Sequence, residues 1–176
     1  MKRVCAFVSI AFMAGLLGAN VYNSVVDARS WGAGIPDSIF TARTYFKAVN
    51  PGAFYRVVSP LNQLIALAAL IAGWKSGRNA RLYFGLALLL AVLAEALTFA
   101  FFYPRNEILF LGAQTNTDVL VRAWSQWSSM NWARNLLLAL GLVCSMKGLD
   151  SLYKASRVGT AHLESKAVGD AHPTSL

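Results

Sequence analysis

The sequence has little charge and is especially poor in acidic residues. Only 14% of its 176 residues are charged and 56% are hydrophobic, whereas soluble domains have about 25% and about 45–50%. Eight acidic residues stand against 16 Lys and Arg, which gives a net charge of +8. A nucleic-acid-binding surface needs a dense basic face, which so apolar a chain does not offer. The composition instead indicates an integral protein of the lipid bilayer with basic loops.

Histidine and cysteine are nearly absent. The two histidines, His162 and His172, lie in the C-terminal tail, and the two cysteines, Cys5 and Cys144, form no Cys-x-x-Cys pair. Haem, copper and zinc sites usually need histidine or clustered cysteine. The chain also lacks a glycine-rich phosphate loop and the Gly-x-Ser-x-Gly and His-Glu-x-x-His motifs. We therefore predict no metal site and no cofactor, unless a cofactor binds without a sequence signature.

Four apolar stretches are long enough to cross a membrane. Each approaches the about 20 residues that a helix needs to span about 30 Å of hydrocarbon, and none alternates as barrel strands do. They predict an all-α fold, an antiparallel four-helix transmembrane bundle over residues 1–154, with a disordered polar tail over 155–176. For the first stretch a cleaved signal peptide is the alternative. The stretches cover residues 4–26, 57–74, 82–103 and 128–146.

The basic residues predict an orientation for this bundle. Nine Lys and Arg lie in the N-terminus, the short second loop and the C-terminal segment, against six in the first and third loops. Because positive residues are retained on the cytoplasmic side, both termini are predicted to be cytoplasmic in an inner membrane. On the first helix, Gly15 and Gly18 offer a small-residue surface for contact within the chain or in a homo-oligomer.

The first loop carries a helical pattern of its own. Asp37 can cap a helix after Pro36, and Ile39, Ala42 and Phe46 recur at helical spacing. This pattern predicts a helix that lies in the membrane interface or folds over the bundle, in addition to the four spans. Aromatic residues near the same boundary predict an interfacial belt: Trp31, Trp124, Trp127, Trp132, Tyr22, Tyr45, Tyr55 and Tyr103.

Polar residues collect near the outer ends of the predicted spans. Glu95 lies about 12 Å and Arg134 about 9 Å below those ends, from the helical rise. A charge inside a span costs about 2.5–3.5 kcal/mol, so it usually faces a partner or a cavity. These two residues are placed to meet across adjacent helices. Four further polar residues share this depth or these helix faces: Asn20, Asn62, Thr98 and Asn131.

Two interpretations of this polar level stay open. The residues can hold the bundle together through interhelical hydrogen bonds, or they can line a pocket that opens toward the outer face. Clustering at one depth favours the pocket, because hydrogen bonds that only join the helices could be spread along the length of the helices. In a pocket the four polar residues would bind a small ligand, and the Glu95 carboxylate would act as a general base.

Two motifs in the second half of the chain point to a family. Tyr103-Pro104-Arg105-Asn106 closes the third span, and Trp127-x3-Asn131-x2-Arg134 opens the fourth. With the spacing of the spans over residues 4–146, they resemble the small four-helix membrane proteins that include the fungal anthrone oxygenases, the DUF1772 family. The sequence departs from the family pattern at Glu107, where many relatives have a second Asn after Asn106.

The resemblance implies an oxygenase that converts a methylene flanked by aromatic rings to a carbonyl with molecular oxygen, without metal or flavin. Glu95 would remove the acidic proton, and Arg134, Asn131 and Asn62 would stabilise the resulting anion. Only Asn131 and Arg134 match the motif, so the role of Glu95 rests on its depth and helix face. The function that we favour is a non-enzymatic membrane protein that binds a small lipophilic ligand, because a polar intramembrane patch is commoner than a catalytic one, and the oxygenase is the alternative. Transport ranks third, since broken helices and repeats are not evident.

Overall fold

The computed structural model describes the backbone of residues 1–170 and the side chains of residues 1–157. Five helices and no strand occur over this part of the chain. Four of the helices are long and apolar enough to cross a membrane, which confirms the all-α four-helix prediction. The helices are α1 (Lys2–Gly32), α2 (Asp37–Tyr45), α3 (Pro51–Ser76), α4 (Arg78–Leu111) and α5 (Thr117–Asp170).

Each long helix extends beyond the predicted apolar span, because backbone hydrogen bonds continue past the point where the side chains become polar. α3 begins at Pro51, where a proline needs no hydrogen-bond partner for its nitrogen, and Pro60 lies inside it. α1 contains one π-helical turn, Asn23–Asp27. α4 contains two, Thr98–Phe102 and Glu107–Leu111.

The four long helices form a ring in which α1 and α4 each contact both α3 and α5. Lys2 Nζ donates to Ser76 Oγ over 3.2 Å, and the Arg3 guanidinium lies 4.2 Å from the Tyr153 ring centroid. The start of α1, the second loop and residue 153 therefore lie at one end, here called the terminal end. The opposite end, which carries α2 and all three π-helical turns, is the loop end.

The terminal half of the bundle is centred on Phe84. Its ring is 1% exposed and lies against the backbones of Gly73 on α3 and Gly148 on α5. A side-chain carbon on either glycine would come within 2.9 Å of the ring. Glycine is therefore required at both positions for these three helices to approach so closely.

α2 closes the loop end, with Ile39 and Ala42 buried as the spacing predicted. Arg43 Nε and Nη2 donate to the carbonyls of Leu109 and Ile108, over 2.8 and 2.9 Å. These bonds tie α2 to the last π-helical turn of α4. The capping role predicted for Asp37 is wrong: Asp37 is the first helical residue, Pro36 precedes it, and no side-chain cap bond forms.

The aromatic belt is also partly wrong. Trp31 and Trp127 are 6% and 5% exposed, and their ring centroids lie 5.3 Å apart inside the loop end. Distance from a helix end says nothing about which face a residue occupies, so the sequence did not separate them from outward residues. Trp132, which is exposed, has the outward orientation that a belt requires.

Three further expectations stay predictions. Gly15 and Gly18 lie on the exposed face of α1 with no side chain against them, so their role in self-association is untested. The domain boundary at residue 154 also remains a prediction, and so does the disorder of the tail, of which residues 155–170 are helical in α5. Residues 171–176 of that tail lie outside the described part of the chain.

Phe84→Ala should destabilise the bundle by roughly 3 kcal/mol, because it leaves a ring-sized cavity between three helices. Phe99→Ala on the same helix is the matched control, since the Phe99 ring is 57% exposed and its loss leaves no cavity. Thermal unfolding of both variants in one detergent measures the difference. Equal melting temperatures for the two variants would contradict this account of the terminal half.

Candidate functional site

A cavity of about 310 Å³, here called the outer cavity, lies at the loop end. All four long helices and the segment between α2 and α3 contribute to its wall, as do all three π-helical turns. Such turns often occur at functional sites because they displace side chains from regular helical positions. Six of its 17 lining residues are aromatic, and four are charged: Trp31, Phe46, Tyr55, Tyr103, Phe110 and Trp127, and Arg56, Glu95, Glu107 and Arg134.

A second cavity of about 20 Å³, here called the inner cavity, lies deeper in the bundle. Asn20 on α1 and Asn62 on α3 line it, and both are almost completely buried. Four residues line both cavities and so form the partition between them: Tyr55, Glu95, Thr98 and Arg134.

Arg134 is a buried cation held by neutral groups. Its side chain is 7% exposed. Nη2 donates to Asn131 Oδ1 over 2.5 Å and Nη1 to Thr98 Oγ1 over 3.5 Å, while Nε has no protein acceptor. The guanidinium carbon lies 4.2 Å from the Phe102 ring centroid, close enough for a cation–π interaction. The group thus retains the capacity to bind an anion.

Asn131 fixes the position of Arg134 by joining it to α1. Asn131 Nδ2 donates to Ser24 Oγ over 2.6 Å, and the same hydroxyl accepts from Asn135 Nδ2 over 2.9 Å. Ser24 Oγ in turn donates to the Asn20 carbonyl over 3.1 Å. Because Ser24 belongs to the π-helical turn Asn23–Asp27, that turn determines where the guanidinium lies.

Glu95 lies on the α-helical turn of α4 that immediately precedes the π-helical turn Thr98–Phe102. The carboxylate is half-buried, and Ser59 on α3 lies beside it. The predicted meeting with Arg134 occurs only in part. Both residues line both cavities, yet no ion pair within 4.0 Å joins them in the part of the chain whose side chains are described. The guanidinium instead contacts Asn131, Thr98 and Phe102.

The predicted ligand-binding residues occupy three kinds of position. Thr98 lines both cavities and contacts Arg134, whereas Asn20 and Asn62 line only the inner cavity. Asn131 is completely buried, lines neither cavity, and acts through Arg134. It is therefore a positioning residue in this structure.

Sequence reasoning missed Tyr55 and the aromatic wall as parts of the site. Tyr55 lies one helical turn before Ser59 and two before Asn62, so the spacing that linked those polar residues included it. Trp127 and Asn106 belong to the two family-like motifs. Trp127 Nε1 donates to Asn106 Oδ1 over 2.8 Å, which joins the motifs directly at the cavity wall.

These features define a multi-pass α-helical membrane protein with an aromatic-walled cavity at one end of its bundle. The family model described as Anthrone oxygenase matches residues 52–144, more than half of the chain. The protein therefore belongs to the anthrone oxygenase family. The matched segment contains Tyr55, Glu95 and Arg134 but not α1 or α2. Searches of curated proteins and of solved structures gave no match.

Asn131→Leu should destabilise the fold by about 1.5–3 kcal/mol more than Asn135→Leu, because it leaves a charged donor of Arg134 without an acceptor. The control is closely matched: both asparagines lie on α5, are buried, and donate to Ser24 Oγ. Thermal or denaturant unfolding of the two variants gives the comparison. An Asn135→Leu variant that is as unstable as Asn131→Leu would show that Arg134 does not depend on Asn131.

Proposed function

We propose that this protein binds a small, lipophilic aromatic molecule in the outer cavity and oxidises it as a cofactor-independent oxygenase. One observation carries the proposal: the Arg134 guanidinium lies buried at the floor of an aromatic-walled cavity, beside a carboxylate with which it forms no ion pair. An anion that forms on a bound ligand would find a cation there, and a base close by.

The wall of the outer cavity supports an aromatic ligand. Its volume of about 310 Å³ lies at the lower end of the roughly 300–1,000 Å³ typical of ligand sites. The Trp31 ring centroid lies 4.7 Å from that of Phe110, with the rings edge to face. Flat faces and edges of this kind favour flat aromatic molecules. A lipophilic ligand would also partition into the surrounding bilayer, which raises its concentration near the cavity.

The floor of the cavity supports proton removal from carbon. The Glu95 carboxylate would take a proton from a methylene that lies between aromatic rings and next to a conjugated carbonyl. The remaining electron pair delocalises onto the carbonyl oxygen, where the Arg134 guanidinium stabilises the negative charge. Thr98 and Asn131 keep the guanidinium in place without neutralising it, so its charge remains available to the ligand.

The subsequent oxidation balances with dioxygen as the only co-reactant. The carbanion adds to dioxygen, which forms a carbon–oxygen bond and a peroxide. Loss of the second methylene proton and cleavage of the oxygen–oxygen bond then give the carbonyl and water. Carbon loses four electrons and the two oxygen atoms gain four. Glu95 takes up the first proton and returns it to the peroxide, and the departing oxygen leaves as water with that proton and the second methylene proton.

Binding and oxidation are separable parts of this proposal. A membrane protein that only binds the aromatic molecule would use the same aromatic wall and the same guanidinium. Such a protein would bind an anthrone without consuming oxygen, so measuring binding and oxygen uptake on the same preparation distinguishes the two functions.

Membranes that contain the protein should consume oxygen when given an anthrone, and Glu95→Gln should lower the rate about 10²–10⁴-fold, as loss of a general base does. The control is Asp118→Asn, which removes an exposed carboxylate at the start of α5 and should leave the rate unchanged. An oxygen electrode gives both rates. Uptake that survives in Glu95→Gln would remove Glu95 from the mechanism.

We also propose that the terminal end faces the cytoplasm and the loop end faces the outside, from the excess of basic residues at the terminal end. In a variant without Cys5 and Cys144, Thr115→Cys at the loop end should react with a membrane-impermeant maleimide on intact cells. Lys154→Cys at the terminal end should react only after permeabilisation. The reverse labelling pattern would invert the orientation.

A further inference from the structure

The inner cavity has the size of a single water molecule. Its volume is about 20 Å³, and a site for one water molecule needs roughly 10–15 Å³. The cavity lies against the partition residues on one side and against α1 and α3 on the other. Asn20 is 2% exposed and Asn62 is 1% exposed, so bulk solvent does not reach either amide.

Two amide oxygens in this cavity need a hydrogen-bond donor. Asn20 Nδ2 donates to the Leu16 carbonyl over 2.9 Å, and Asn62 Nδ2 contacts Met13 Sδ at 3.7 Å. These contacts turn each amide nitrogen away, and no protein group donates to Oδ1 of either residue. Buried polar atoms are almost always satisfied. An occupant that satisfies both oxygens must donate two hydrogen bonds, which water can do and dioxygen and hydrocarbons cannot.

We propose that the inner cavity is a binding site for one water molecule, which donates to the Asn20 and Asn62 amide oxygens and accepts from the protonated Glu95 carboxyl group. The position of Glu95 supports the hydrogen bond from its carboxyl group to the water, because Glu95 lines both cavities and has Ser59 beside it. This catalytic part rests on the proposed oxygenase function, whereas the binding of water does not.

The water would determine what happens to the abstracted proton. Glu95 takes the proton from the ligand in the outer cavity, and the carboxyl group then donates a hydrogen bond to the water in the inner cavity. The proton is thereby held on the side away from the carbanion, which keeps the carbanion available for dioxygen. Asn20 and Asn62 are positioning residues in this arrangement, since they act through the water.

A high-resolution structure of the full chain in a lipid nanodisc tests the binding site directly. We expect one solvent peak within about 2.7–3.2 Å of Oδ1 of both asparagines. The peak should be absent in Asn62→Leu and present in the control Ser145→Ala, whose buried hydroxyl is outside both cavities. A wild-type map without the peak overturns the proposal, whether or not Asn62→Leu folds.

Deuterium exchange tests the catalytic part. An anthrone incubated with the protein in D2O under nitrogen should gain deuterium at its methylene, since Glu95 exchanges its proton with the inner water. Asn62→Leu should slow this exchange at least about tenfold with ligand binding unchanged. Equal exchange in wild type and Asn62→Leu refutes the role of the water. A water peak combined with no exchange in the wild type refutes the oxygenase function but not the binding site.

Discussion

The guanidinium group of Arg134 has no carboxylate within 4.0 Å, so neutral groups must offset the cost of burying its charge. Burying an ion without a counter-ion is among the most expensive arrangements that a fold can contain. Three neutral groups stabilise the charge by hydrogen bonds and a cation–π contact: the Asn131 amide, the Thr98 hydroxyl and the Phe102 ring. Asn131 depends in turn on Ser24. The π-helical turns of α1 and α4 supply Ser24, Thr98 and Phe102, so the irregular parts of the bundle are the parts that hold the charge.

The separation of Glu95 from Arg134 gives the site its chemical character. A direct ion pair would neutralise both groups and leave a carboxylate with little basicity and a cation with no free charge. The structure keeps both in the partition between the outer and inner cavities but lets Asn131 and Phe102 hold the guanidinium. A ligand in the outer cavity thus meets a base and a cation as separate groups. The hydrogen bonds from Arg43 to the last π-helical turn of α4 keep α2 at the loop end, where the outer cavity lies.

The fold was largely predictable, because apolar spans near 20 residues have few structural solutions in a bilayer. The common level of Glu95, Arg134, Asn20 and Asn62 was also predictable, since all four line the inner cavity and helical rise converts sequence position into position along a helix. Helix rotation was not: Trp127 was assigned to an interfacial belt but lines the cavity wall, and Asn131 was assigned to the ligand site but lies behind Arg134. The π-helical turns had no signal either, and each one shifts the face that the following residues present.

The central claim is that the site stabilises an anion formed by removing a proton from a bound aromatic molecule. The most direct measurement is the visible absorption spectrum of an anthrone bound to the purified protein under nitrogen, where oxidation cannot follow. The account predicts that the absorption of the enolate appears on binding to the wild type, and that it is lost in Arg134→Met. A wild-type complex that shows only the spectrum of the neutral keto form would contradict the claim.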